Sequence, residues 1–259
     1  MFAGTPLALI VGLGGGWLAM AGLAALGWVP PPVLGIASVT AAHGGLLAVA
    51  LTWGAVDGGV RLPRGVLVTT VAVIAAGALA TALDPRAALV YLAVPAWLAV
   101  LTLRGQLRGL GLEPRVALRP LLAGVMTGAL LGGHLLLSAS QTLGYALHGG
   151  GTALVALWAY DAGANVISAE CFFRGALFNR LQRRWTFAAA ATVATGAALV
   201  RYVVDPLLPK QVEVLAGALF YLTILGAAGC WLLWWSGSLV PGLAASWVFF
   251  LAYRLLAIR

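Results

Sequence analysis

The chain is built almost entirely from apolar runs of about 18 to 25 residues joined by short polar connectors, and this rhythm limits the fold more than any other feature. At about 1.5 Å of helix rise per residue, each run is long enough to cross ~30 Å of hydrocarbon. A membrane-spanning barrel would need alternating apolar and polar residues, and that alternation is absent. With 62% hydrophobic and 8% charged residues, and a mean hydropathy of +1.01, a water-soluble globular domain is excluded. The expectation is an all-α, polytopic transmembrane helix bundle of eight or nine spans, over 5–27, 33–55, 65–82, 87–103, 121–145, 152–179, 187–204, 212–235 and 238–256. Only Ser236 and Gly237 separate the last two, which suits a tight turn or a kink. The opening MFAGTPLALIVGLGG has no basic n-region and runs on past signal-peptide length, so it is expected to stay as the first span.

The formal charge of +8 could suggest nucleic acid, but the fifteen Lys and Arg residues sit mostly in connectors. They read as topology signals, so no nucleic-acid partner is expected. If connectors alternate sides, nine arginines fall on one side against four basic residues on the other. That bias predicts a cytoplasmic N-terminus. The most polar stretch, RGQLRGLGLEPRVALRP (104–120), is expected to lie along the headgroups and to divide the chain into a four-helix region, 1–104, and a second region, 105–259. The first region is nearly empty of polar groups, which assigns any chemistry to the second. Gly124, Gly128 and Gly132 repeat every fourth residue and predict close approach of another helix. Cys171 and Cys230 read as small core residues. His43, His134 and His148 lie on different segments without companion ligands, so no metal or other cofactor is expected; His134 is the one expected to be buried. The tryptophans Trp28, Trp185, Trp231, Trp234 and Trp235 read as an interfacial belt.

One stretch departs from this pattern. SAECFFRGALFNRLQRRW (168–185) carries Glu170 and Arg174 four residues apart among phenylalanines. On a helix the two share a face and can pair, which offsets the cost of either charge at membrane depth. Asp161, Asn165 and Ser168 form a second stripe roughly opposite. Both faces must therefore meet protein, and this helix should run through the centre of the bundle, with Arg180, Arg183 and Arg184 anchoring its end. The pair reads either as a packing ion pair or as holding a catalytic carboxylate that acts as base on water, with partners from other helices. Arg201 is expected to pair with Asp205 one turn on or to snorkel to the interface.

These residues resemble the CPBP family, the CAAX prenyl protease and bacteriocin-processing (Abi) membrane proteins. Their first motif, Glu-Glu-x-x-x-Arg, is similar to Ala169-Glu170-Cys171-Phe172-Phe173-Arg174, followed by Gly175 and FFRGALFNRLQ wording. GSLVPGLAASW in the last span resembles the third motif, and RGLGLEPRVALRPLLAGVMTGALLG the entry into the core, so the resemblance covers 105–259. It implies a CPBP-like helical core there, in a bacterial inner membrane. It also implies an intramembrane endopeptidase, but the family's first glutamate is replaced by Ala169 and the motif-two histidine by Arg201. The third motif's histidine and asparagine fall on Ser246 and Phe250, so of the polar set only Glu170 and Arg174 remain.

An arginine cannot shuttle protons as an imidazole does, and a phenylalanine offers no amide to an oxyanion. The resemblance therefore implies a catalytically silent protein, a binding or assembly factor or a subunit of a membrane complex, whose partners are membrane lipids and another membrane protein. The alternative is a glutamate-type intramembrane endopeptidase with an altered site, its water held by Ser246 or Asp161. A small transporter is the third reading; the two regions differ too sharply in polarity to be inverted repeats.

Overall fold

A computed structural model describes residues 4–142, 146–147, 151–204 and 212–257. Among these residues nine helical rods follow one another: α1 (Leu7–Ala25), α2 (Pro31–Asp57), α3 (Arg64–Leu83), α4 (Pro85–Leu103), α5 (Leu118–Thr142), α6 (152–182), α7 (Phe187–Val204), α8 (Val212–Ser236) and α9 (Val240–Leu255). One two-residue antiparallel pairing joins Ala146–Leu147 to Leu256–Ala257. Six rods are long and apolar enough to cross a membrane, and α7 and α9 are apolar but shorter. The architecture is the expected helical bundle, with the ninth rod separate from the eighth. Gly237, in the left-handed region at φ 67°, makes the turn between them, a conformation that a side chain would strain. His148, Asp205, Lys210, Arg259 and the end of the predicted fifth span lie outside the described residues.

The centre of the bundle is α6, which packs against α2, α4, α7, α8 and α9. Asp161 and Ser168 are fully buried, and Glu170 and Arg174 nearly so, although they point to different sides. Both stripes are thus enclosed by protein, as a charged helix in hydrocarbon requires. Glycines set the helix spacings. Gly124 and Gly128 lie so close to the backbone of Pro241 and Ala245 that a methyl group would collide, while Gly132 faces Ala252, so α5 and α9 pack nearly backbone to backbone. Gly77 and Gly163 make room in the same way for Tyr91, which is 1% exposed.

The connector 104–120 packs one side into the bundle. Leu107, Leu110 and Leu112 are buried, whereas Arg104, Arg108, Arg115 and Arg119 are exposed. Gly54 and Gly58 open a groove on α2 that Gly109 and Leu110 fill, and Gly111 O accepts from Leu239 N at 2.9 Å. A groove with no side chains of its own gives the leucines an apolar seat that the headgroup layer cannot match. Beside it, Asp57 at the end of α2 holds Arg180 of α6 through two hydrogen bonds of 2.9 and 3.2 Å, and the guanidinium lies 4.4 Å from the Trp53 ring centroid. The two sequence regions therefore share one core.

Candidate functional site

Three short stretches of the bundle wind as π-helix: Thr40–Gly44 in α2, and Asp161–Asn165 and Glu170–Phe178 in α6. They carry His43, Asp161, Asn165, Glu170 and Arg174, five of the polar residues gathered at the bundle centre. A wider turn re-aims side chains relative to a regular helix, and such turns concentrate at functional sites.

Glu170 and Arg174 form the expected pair, with Arg174 Nη1 3.5 Å from Glu170 Oε1. The same oxygen accepts from Ser246 Oγ of α9 at 2.9 Å. Glycines enclose the pair. A Cβ at Gly226 would stand 2.8 Å from Arg174 Nη2, and one at Gly229 or Gly242 would stand 3.6 Å from Glu170 Oε2. The large guanidinium fits inside the bundle because α8 presents no side chain there.

A small cavity of about 50 Å³ opens beside this pair, lined by Asn165, Ala169, Glu170, Arg174, Arg201, Ser246 and Phe250, with aliphatic residues of α7 and α8 closing it. All six positions that the family resemblance singles out thus meet at one place. Ala169 and Phe250 contribute only apolar surface there. Asp161, offered as a second holder of water, is engaged elsewhere. Arg254 of α9 donates to it through Nε and, at 3.1 Å, through Nη2, and Asn165 Nδ2 adds a bond of 3.2 Å.

Arg201 neither snorkels outward nor leaves the bundle. Its Nη1 donates to Asn165 Oδ1 and its Nη2 contacts His43 Nδ1, both at 3.1 Å. The inward turn has a plain cause: Asn165 and His43 offer acceptors inside the bundle that lipid hydrocarbon cannot supply. His43 is buried, contrary to the expectation that His134 would be the buried histidine. His134 is exposed on α5, bonded to Tyr221 Oη at 2.7 Å, a phenol that brings a partner to the helix surface.

His43 shows that the first region also supplies polar groups to the centre. Its Nε2 lies 2.9 Å from Tyr160 Oη, and its Nδ1 lies 2.9 Å from Ser168 Oγ. The serine and imidazole are at the distance of a nucleophile and its base. Their wiring argues against that chemistry. A guanidinium only donates, so Nδ1 is an acceptor and the ring proton sits on Nε2. Protonating Nδ1 would set an imidazolium against a permanent cation, and Ser168 is 0% exposed. Sequence reasoning missed His43; the available signal was a lone ionisable residue in the middle of an apolar run.

Residues 151–251 match the family model described as type II CAAX prenyl endopeptidase Rce1-like. The match covers α6 to most of α9, the rods that carry Glu170, Arg174, Arg201, Ser246 and Phe250. No curated protein and no solved structure matches the chain.

Proposed function

We propose that this CPBP-family integral membrane protein is a catalytically silent member, which uses the protease scaffold as a binding or assembly factor or as a subunit of a membrane complex. One observation carries the reading: each polar group at the family's catalytic positions is already engaged by a neighbour inside the bundle, Glu170 through one of its two carboxylate oxygens. Glu170 is held by Arg174 and Ser246. Arg201, at the position of a histidine in the family, is braced by Asn165 and His43. Ala169 and Phe250 supply no group that moves a proton or stabilises an oxyanion. Loss of several members of one catalytic unit removes orders of magnitude in rate. The arginine-rich connectors support placement in a bacterial inner membrane with the N-terminus cytoplasmic, where lipids and a membrane-protein partner would be met.

Purified protein incubated with prenylated and leader peptides is expected to leave them intact, as is its Glu170→Gln variant. Cleavage by the parent chain that this substitution abolishes would establish the rival reading, a glutamate-type intramembrane endopeptidase. The cavity favours that rival, since Glu170 and Ser246 still face it together. Purification from the native membrane in mild detergent is expected to bring stable companion proteins; a lone protein holding a peptide would count against the assembly role.

A further inference from the structure

Charge is gathered at one end of the bundle. Asp57 meets Arg180 there, Gly58 meets Gly109, and Gly111 meets Leu239, so residues 58–63, the connector 104–117, the turn 183–186 and Gly237 all lie at that end. Arg61, Arg64, Arg104, Arg108, Arg115 and Arg119 are exposed, and none of them forms an ion pair among the described residues. Few acids stand near to answer them. Asp57 is taken up by Arg180 and Arg183, which leaves Glu113 as the exposed carboxylate of this end among the described residues. At the opposite end Arg86 N is bonded to Asp84 and Arg254 is paired with Asp161, so no comparable excess gathers among the described residues.

Two further features give this charge a level and a stiff mount. Trp231 and Trp235, 44% and 47% exposed, stack with ring centroids 5.1 Å apart on the last turns of α8, and Trp185 is exposed at the turn into α7. Exposed tryptophans mark the border between hydrocarbon and headgroups. Leu239, one turn past Trp235, donates to Gly111 O, which sets the connector at or just outside that border, at the level of lipid phosphates. The buried Leu107, Leu110 and Leu112 hold it from beneath, so the arginines are presented by the bundle and not by a loose loop. Arg108 folds back over Gly105, with Nε 3.5 Å from the position a Cβ would take there, next in the chain to Arg104.

We propose that the connector 104–120, with Arg61 and Arg64 beside it, is a binding surface for anionic phospholipids, whose headgroup phosphodiesters pair with its guanidiniums. Arginine forks match the oxygens of a phosphate, and each arginine close to an anionic leaflet favours it by about fivefold. A zwitterionic headgroup carries its own cation beside the phosphate and gains little from the same surface. The inference rests on the membrane placement proposed above and narrows the lipid partner to one class.

Native mass spectrometry of the purified chain in neutral detergent, offered equal amounts of phosphatidylglycerol and chain-matched phosphatidylcholine, tests it. The parent is expected to take up phosphatidylglycerol in about tenfold excess or more, and less so as salt rises. The combined variant Arg104→Gln, Arg108→Gln, Arg115→Gln and Arg119→Gln is expected to bring the ratio close to one, with a parent-like Tm in phosphatidylcholine micelles because all four side chains are exposed. Should four changes together prevent folding, Arg108→Gln alone is expected to lower the ratio by about fivefold. Equal uptake of the two lipids by the parent, or a preference that survives loss of the connector arginines, overturns the proposal. In the first case, an acidic protein that co-purifies with the parent and not with the variant would assign the surface to a protein instead. Uptake in micelles reads neither orientation nor peptide cleavage, so its failure is distinct from failure of the silent reading.

Discussion

The bundle holds two kinds of buried ion pair, and they are built differently. Arg254 with Asp161, and Arg180 with Asp57, each join two helices through two hydrogen bonds and a planar fork. Glu170 with Arg174 lies within one helix, touches through a single 3.5 Å contact, and leaves an oxygen and a nitrogen without a partner among the described residues. The first two pairs have the geometry of fasteners, in which the donor set of each arginine matches its carboxylate. The third is looser, a buried pair in which each partner keeps one polar atom that no described residue satisfies. Charge inside the bundle thus serves cohesion at two places and retains an unmet hydrogen-bonding demand at the third.

That contrast is broken or sharpened first at Asp161. Arg254→Leu leaves a carboxylate that is 1% exposed without its cation, at membrane depth, a loss of about 3–5 kcal/mol. The expected outcome is a much lower melting temperature or failure to accumulate folded protein. Adding Asp161→Asn to it removes the stranded charge and is expected to restore most of the stability. The effect of Asp57→Asn should be smaller, about 2 kcal/mol, because Arg180 keeps the carbonyl of Trp53 and the face of its ring. Thermal unfolding in detergent ranks the two, and the reverse order would mean that the end of the bundle near Arg183 and Arg184, not its middle, sets cohesion.

Those fasteners were the part of the molecule hardest to read in advance. The nine rods follow from run length alone, and the burial of both stripes of α6 follows from the angular separation of Asp161 from Glu170. The close approach at Gly124, Gly128 and Gly132 follows from their spacing, and the family motif brought the six cavity positions together. The partners across helices did not follow. Arg254 reads as an interfacial cation near the chain end, and Arg201 has an acidic neighbour one turn on. Which acceptor each one reaches depends on helix rotation and depth, which the 3.6-residue period leaves open. The buried leucines 107, 110 and 112 were hidden for a related reason: their spaced arginines describe a surface segment, and only the groove at Gly54 and Gly58 turns the leucines inward. His43 was hidden by its apolar surroundings, which describe a packing helix rather than a donor to another region.

Glu170→Gln is expected to cost less than either fastener, about 1–2 kcal/mol, because the amide oxygen can still accept from Ser246 and face Arg174. A loss as large as that of Arg254→Leu would erase the distinction between fasteners and site.

The smallest effect belongs to Ser246→Ala. Its hydroxyl donates to Glu170 Oε1, and one such bond contributes under about 1 kcal/mol where the acceptor keeps a second partner. The alanine leaves the cavity wider, and Oε1 retains the Arg174 contact at 3.5 Å. If Ser246 only satisfies Glu170, a double-mutant cycle with Glu170→Gln gives a coupling of about 1 kcal/mol, and the peptide assay stays blank for every member. If the serine instead positions a water for attack, the single variant melts nearly as the parent does but loses cleavage together with Glu170→Gln. The pair of readouts separates a hydroxyl that holds the carboxylate in place from one that serves a reaction.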